Sequence, residues 1–132
     1  MIVAGVGFRR GVEAGEIVAL VEQALERAAL APDALDRLAT VEALAALPAF
    51  TQAARRLAVA AFPVGEEALA AAAPAIRTFS ARSHAAHGVG SVAEAAALGG
   101  AGPGAALILE RIASPSATCA LARSHPGPEA AP

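Results

Sequence analysis

Two adjacent arginines, Arg9 and Arg10, stand between glycines in the stretch GVGFRRG, residues 5–11, just after a short apolar run and just before a helical pattern. Neighbouring guanidinium groups repel each other and the positive end of a following helix. The cost is tenths of a kcal/mol to about 1 kcal/mol, and a bound anion or a nearby carboxylate such as Glu13 relieves it. Glycines at a strand-to-helix turn let the backbone approach a ligand closely, and the free N–H groups of the next helix start favour negative charge. The chemistry on offer is anion recognition. The glycine spacing, G-x-G-x-x-x-G, is not the dinucleotide fingerprint, and without lysine the loop is not a Walker loop.

A second group of polar residues lies in SHAAHGVGSVAEAAAL, residues 83–98. Ser91 and Glu94 have the spacing of a capping box, with Ser91 at the N-cap and Glu94 at N3. The remaining amides of that helix start still face outward toward any ligand. His84 and His87 have the helix-face spacing of metal ligands, but no third ligand accompanies them and no metal is expected. His87, beside Gly88, suits a pH-sensitive hydrogen bond to a ligand carboxylate. Cys119 falls inside a strand pattern and reads as a small core residue. There is no G-x-S-x-G elbow, and the only aspartates, Asp33 and Asp36, sit near a helix end. Nothing spells a catalytic triad, and no catalytic residue is assigned.

Composition narrows the classes further. A chain of 132 residues makes one domain with a real core. Twelve acidic and ten basic residues nearly cancel, and with no Trp or Tyr and four Phe there is neither an electrostatic footprint nor a stacking platform for nucleic acid. No apolar run approaches the roughly 18 residues of a membrane span. The N-terminal MIVAGVGF reads at once as a strand and lacks the basic segment of an export signal. One cysteine fits a reducing compartment. These features imply a small soluble cytoplasmic protein. All ten basic residues are arginine, so lysine Schiff-base or general-base chemistry is excluded and charge recognition falls to the planar guanidinium fork.

The elements that must position these groups alternate along the chain. Ile2–Val6, Leu35–Val41, Ala58–Phe62 and Ala75–Phe79 read as strands. Helical patterns run from about Ala14 to Ala29, with Ile17, Leu20, Val21, Leu25 and Ala28 at helical spacing, and from Pro48 to about Leu57. GEEALAAAAP forms a short helix ended at Pro74. Residues 80–90 read as a polar loop, Ser91 to about Leu98 as a helix and GGAGPG, 99–104, as a turn. Ala105–Arg111 and Thr118–Arg123 then form a hairpin around ASPS, and residues 124–132 read as a disordered tail beyond a domain of residues 1–123. The pattern predicts a single three-layer α/β/α domain with a mixed, mostly parallel sheet. Ligands of such sheets bind at the carboxyl ends of the strands, here residues 7–13, 40–47, 62–66 and 80–91. The arginine loop lies on that edge.

With these segments in order, the chain resembles the cobalamin-biosynthesis family of the stand-alone CobE proteins and the C-terminal domain of CbiG. GVGFRRGVEAGEIVALVEQAL is similar to the family's opening G-x-G-C-R-R-G and helix. LATVEALAALPAF is similar to its next strand and turn, which places Thr40 at the family's threonine or serine. GVGSVAEAAAL matches its glycine–serine–valine–alanine–glutamate helix start, and ALILERIASPSATCALAR resembles its closing hairpin. Phe8 replaces the family's usual cysteine, Leu44 and Leu47 fall where lysine and glutamate are usual, and Arg111 stands for a lysine. The resemblance implies a place in corrin-ring assembly of the aerobic route and a partner rich in acetate and propionate carboxylates, a precorrin or hydrogenobyrinic acid. Gly7, Phe8, Arg9, Arg10, Gly11, Thr40, His87, Gly88, Ser91 and Glu94 are the expected ligand-binding residues, with Phe62 and Phe79 as further candidate apolar walls, Phe79 reading more readily as a core residue. No cofactor is expected. Other enzymes of the pathway are candidate partners, and the apolar composition leaves room for a homodimer. Three activities fit: a non-catalytic carrier or accessory, a hydrolase or lyase opening a precorrin lactone with Glu94 and His87, and a phosphate- or nucleotide-binding module.

Overall fold

The computed structural model describes residues 1–125. Its strands are β1 (Ile2–Phe8), β2 (Leu35–Val41), β3 (Ala60–Val64), β4 (Ala106–Ala113) and β5 (Ala117–Arg123). Its helices are α1 (Ala14–Arg27), α2 (Glu42–Ala45), α3 (Pro48–Arg56), α4 (Glu66–Ala72), α5 (Ala81–His87) and α6 (Val92–Ala101). The strands form one sheet in the order β3-β2-β1-β5-β4. β1, β2 and β3 are parallel. β5 is antiparallel to β1, and β4 is antiparallel to β5. Four strands therefore run one way and β5 alone is reversed, which is the mixed, mostly parallel sheet that the alternating pattern predicts.

Side-chain alternation along the central strand assigns the two covering layers. Ile2, Ala4 and Val6 face Ile17, Val21 and Leu25 of α1 and Phe50 of α3 in the larger core. Val3 faces the other way, toward a core built from Ala39, Val64, Leu69 of α4 and Ala96 of α6. α6 lies very close to the sheet. A Cβ on Gly5 would stand 2.1 Å from the Ala93 carbonyl oxygen and 2.2 Å from the Ala97 nitrogen. Only glycine in the central strand lets the alanine-rich helix seat there.

Four local expectations are corrected by the same packing. Residues 99–101 are helical rather than a turn, because Gly99 and Gly100 lie against Val64, Ala39 and Val3 where no side chain fits. β3 starts at Ala60 rather than Ala58 and runs through Pro63. Ala58 adopts φ 58 to end α3, and proline is tolerated because β3 is an edge strand. Residues 75–79 are not a strand; the backbone N–H groups of Arg77 and Thr78 go to the Glu94 carboxylate instead of to a sheet neighbour. The polar loop of residues 80–90 contains α5, started by the Ser80 side chain accepting from Ser83 N and ended at Gly88 with φ 76. Ser124 is hydrogen-bonded to Met1 at both its N–H and its hydroxyl, while 126–132, the rest of the expected tail, lie outside the described residues.

Two substitutions test this packing in urea denaturation followed by circular dichroism. Gly5→Ala should lose about 3 kcal/mol, the upper end of core overpacking, with an unchanged m-value. Ala58→Gly, at a position that already has φ 58, should gain about 0.5 kcal/mol, the left-handed strain removed less the extra chain entropy.

Candidate functional site

The carboxyl end of β1 opens on a cleft of about 460 Å³. Gly7, Phe8 and Arg9 form its floor and one wall, and the β4–β5 hairpin from Arg111 to Thr118 forms the second. The third wall is α5 with its cap, which contributes Ser80, Arg82, Ser83 and His87. The hairpin reaches this edge because β4 runs in the same direction as β1, so the β4–β5 turn sits beside the exit of β1.

Backbone hydrogen bonds fix the rim. Arg9 N donates to the Ser116 carbonyl at 2.9 Å. The Glu16 carboxylate, on the first turn of α1, accepts from Ser116 N at 2.7 Å and from the Ser114 hydroxyl. The Ser114 and Ser116 bonds hold the Glu16 carboxyl below the ordinary glutamate range. Phe8 stacks on Phe50 with ring centroids 6.3 Å apart, which gives the cleft an apolar base at the position where the resemblance expects cysteine.

The electrostatics are one-sided. Three arginines, Arg9, Arg82 and Arg111, are among the residues that line the cleft, and no aspartate or glutamate is. Among the described residues the single ion pair joins Arg77 to Glu110 at 3.7 Å on the exposed surface, where such pairs contribute little. Planar, unpaired guanidinium forks around a concave surface suit bidentate binding of carboxylate or phosphate.

Glu94 lies behind this cleft rather than in it. It is fully buried in α6. Its Oε1 accepts from Arg77 N at 2.7 Å and Thr78 N at 2.9 Å. Its Oε2 accepts from the Thr78 hydroxyl at 2.6 Å and Arg111 N at 3.0 Å. Burial is the largest single influence and pushes its pKa up, but the four donors together outweigh it and leave the carboxyl below its ordinary value. The capping box is therefore half formed. Ser91 Oγ accepts from Glu94 N at 3.2 Å as expected, while the Glu94 carboxylate turns away to the other chain segments.

Of the residues expected from sequence, the structure brings Gly7, Phe8, Arg9 and His87 together in the cleft. Arg10 and Gly11 lie outside it in the exposed turn that follows. Thr40 is buried and donates to the Val6 carbonyl at 2.7 Å, satisfying a backbone group past the end of the β1–β2 ladder. Ser91 and Glu94 are internal. Gly88 lines a separate groove with Phe79 and His84, whose rings are 5.7 Å apart, so the two histidines have different surroundings. Phe62 lies under the Arg37 guanidinium, 4.5 Å from the ring centre, away from the cleft. Cys119 is enclosed on β5, and burial pushes its thiol up to about 12. Ser80, Arg82, Ser83, Ser114, Ser116 and Thr118 are cleft residues that the sequence did not single out. The available signal was the placing of residues 80–91 on the binding edge, which covers the first three.

The fold and cleft define a small three-layer α/β domain with an arginine-lined pocket at a strand edge. The chain belongs to the cobalamin synthesis G C-terminus family, whose model matches residues 2–122, and it is a cobalamin-biosynthesis protein. It is 41% identical over 121 residues to protein CobE of a Sinorhizobium species, covering 92% of this chain and 79% of that one. Its structure is similar to the crystal structure of CobE from the cobalamin pathway, with a TM-score of 0.88, 32% identity and coverage of 95% and 91% of the two chains. It is also similar to cobalamin biosynthesis protein chiG of Agrobacterium tumefaciens, with a TM-score of 0.70, 32% identity and coverage of 94% and 98%.

Glu94→Gln tests the buried carboxylate. The amide would present N–H groups to two existing donors, so stability should fall by about 3 kcal/mol in urea titrations at neutral pH. Because folding lowers the Glu94 pKa, its contribution is complete above about pH 4.5 and is lost as the pH falls through the lower folded-state value. Below pH 4.5 the native protein should therefore lose stability more steeply than Glu94→Gln. Parallel acid profiles of the two would contradict this assignment.

Proposed function

We propose that this protein binds a carboxylate-rich corrin-ring intermediate, a precorrin or hydrogenobyrinic acid, and acts as a carrier or accessory in the aerobic route to cobalamin. The observation that carries the reading is the convergence of Arg9, Arg82 and Arg111 on a cleft that contains no carboxylate. Several peripheral acetate and propionate groups on one ligand match several guanidinium forks on one receptor. Phe8, Ala86, Val92 and Ala117 supply the apolar surface that a macrocycle edge requires, and the cleft volume is within the ordinary range of ligand pockets.

The side chains also support binding over chemistry. A lactone hydrolase needs a general acid–base at the reacting atoms. Glu94, the carboxylate that the sequence offered, is enclosed and already accepts four hydrogen bonds. The Cys119 thiol is buried and its pKa is raised away from the thiolate form. His87 lines the cleft with no aspartate or glutamate among the lining residues beside it, which suits ligand contact better than an acid–base pair.

Optical titration with hydrogenobyrinic acid tests the proposal, because the ligand is coloured and the protein contains no Trp or Tyr. Saturable binding is expected. Arg9→Ala and Arg111→Ala should each weaken it about tenfold or more, the value of one charge-assisted contact. Arg10→Ala, outside the cleft, should change it about twofold or less. Equal effects at Arg9 and Arg10 would move the site off the cleft, and the absence of any spectral shift would overturn the reading.

A further inference from the structure

The cleft wall formed by α5 is attached to the domain differently from the other two walls. None of the seven residues of α5 is buried. Its aromatic contact, His84 on Phe79, does not seat it in a core, because Phe79 is itself 69% exposed. The helix hangs from a narrow neck in which Ser80 N donates to the Gly90 carbonyl at 2.6 Å, so the chain enters and leaves at one point. The neck is tight: a Cβ on Gly90 would stand 2.9 Å from the Phe79 ring and 3.3 Å from the Thr78 carbonyl oxygen.

Both roots of the neck are bolted to α6. On the incoming side Glu94 holds Arg77 and Thr78, and on the outgoing side Ser91 caps the helix. Between these anchors Val89 is seated in the core beside α6, and among the described residues one hydrogen bond reaches from α5 itself to the body of the domain, Val92 N donating to Ser83 Oγ at 3.0 Å. Low burial with few ties to the core is the physical signature of a segment that opens at low cost. The same segment nevertheless contributes Arg82 and His87 to the cleft.

We propose that residues 81–88 are a hinged lid, latched by Ser83, and that Arg82 is a specificity-determining residue carried on it. Arg9, tied to Ser116 just after β1, and Arg111 on β4 are present in every state, whereas Arg82 completes the cationic ring only when the lid is down. Ligands with carboxylates on one edge engage the fixed pair. Ligands with a further carboxylate toward α5 also draw the lid closed. This deepens the proposed function and rests on that reading of the cleft.

Hydrogen-exchange mass spectrometry of the full chain tests the lid, with and without saturating hydrogenobyrinic acid and with the optical titration run beside it. In the free protein the amides of 81–87 should exchange well before those of α6, and faster still in Ser83→Ala. Bound ligand should slow them, and Arg82→Ala should remove that slowing while weakening binding about tenfold. Lid amides that exchange as slowly as α6 in the free protein overturn the inference. So does a full optical shift with the lid unprotected, which leaves the binding proposal standing. No optical shift, by contrast, overturns the binding proposal and with it the role of Arg82.

Discussion

An ionised carboxylate inside a small domain is tolerated only when its oxygens are saturated with donors, and Glu94 meets that condition with four. The donors come from places that share no regular pairing with one another: the irregular segment at 77–78 and the β4 strand at Arg111. A single side chain on α6 thus joins the helix to an edge strand of the sheet and to the root of α5. It holds the backbone of β4 at Arg111 and that of the segment entering α5 at Arg77 and Thr78, so two of the three cleft walls are tied to it. Replacing the carboxylate with any neutral group changes the count of acceptors, not merely the charge.

Glu94 can reach these partners because α6 sits unusually close to β1. Gly5 removes the side chain that would hold the helix off, and the alanines at 93, 96 and 97 keep the interface thin. Gly100 continues the contact at the far end, where the Arg37 guanidinium donates to its carbonyl at 3.1 Å. Small residues here lower the dispersion contact available per residue but fix the helix axis within a narrow distance of the sheet. The position of the buried carboxylate follows from that distance.

Much of the frame was legible in the sequence because its signals are local. β1, β2, α1 and α3 follow from apolar spacing, and the start of α6 follows from Ser91. What failed failed for non-local reasons. Residues 75–79 have strand-like composition, yet their donors are taken by a carboxylate sixteen or seventeen residues away. Gly99 and Gly100 look like a turn until the sheet beneath them is seen. At the cleft, Arg9 was legible because it follows a strand, whereas Thr40, Ser91 and Glu94, expected as ligand-binding residues, lie in the interior. The rule that ligands meet the loops after parallel strands omits a hairpin. Ser114, Ser116 and Thr118 enter the cleft only because the reversed β5 lies between β1 and β4.

The arginine pair that opens the sequence is resolved by the fold into two different roles. Arg9 N is tied to Ser116, so its side chain leaves the backbone at the cleft, while Arg10 continues into an exposed turn. The three cleft arginines come from the exit of β1, from α5 and from β4, separated by about seventy and thirty residues of chain. Gathering three like charges on one concavity works against folding. The cost is eased because Arg9 and Arg82 are exposed to solvent and because Arg82 rides on a segment that contributes little to the core. Such an arrangement is stabilised most by a ligand that brings several negative charges at once, since each neutralises a repulsion the empty protein must otherwise sustain.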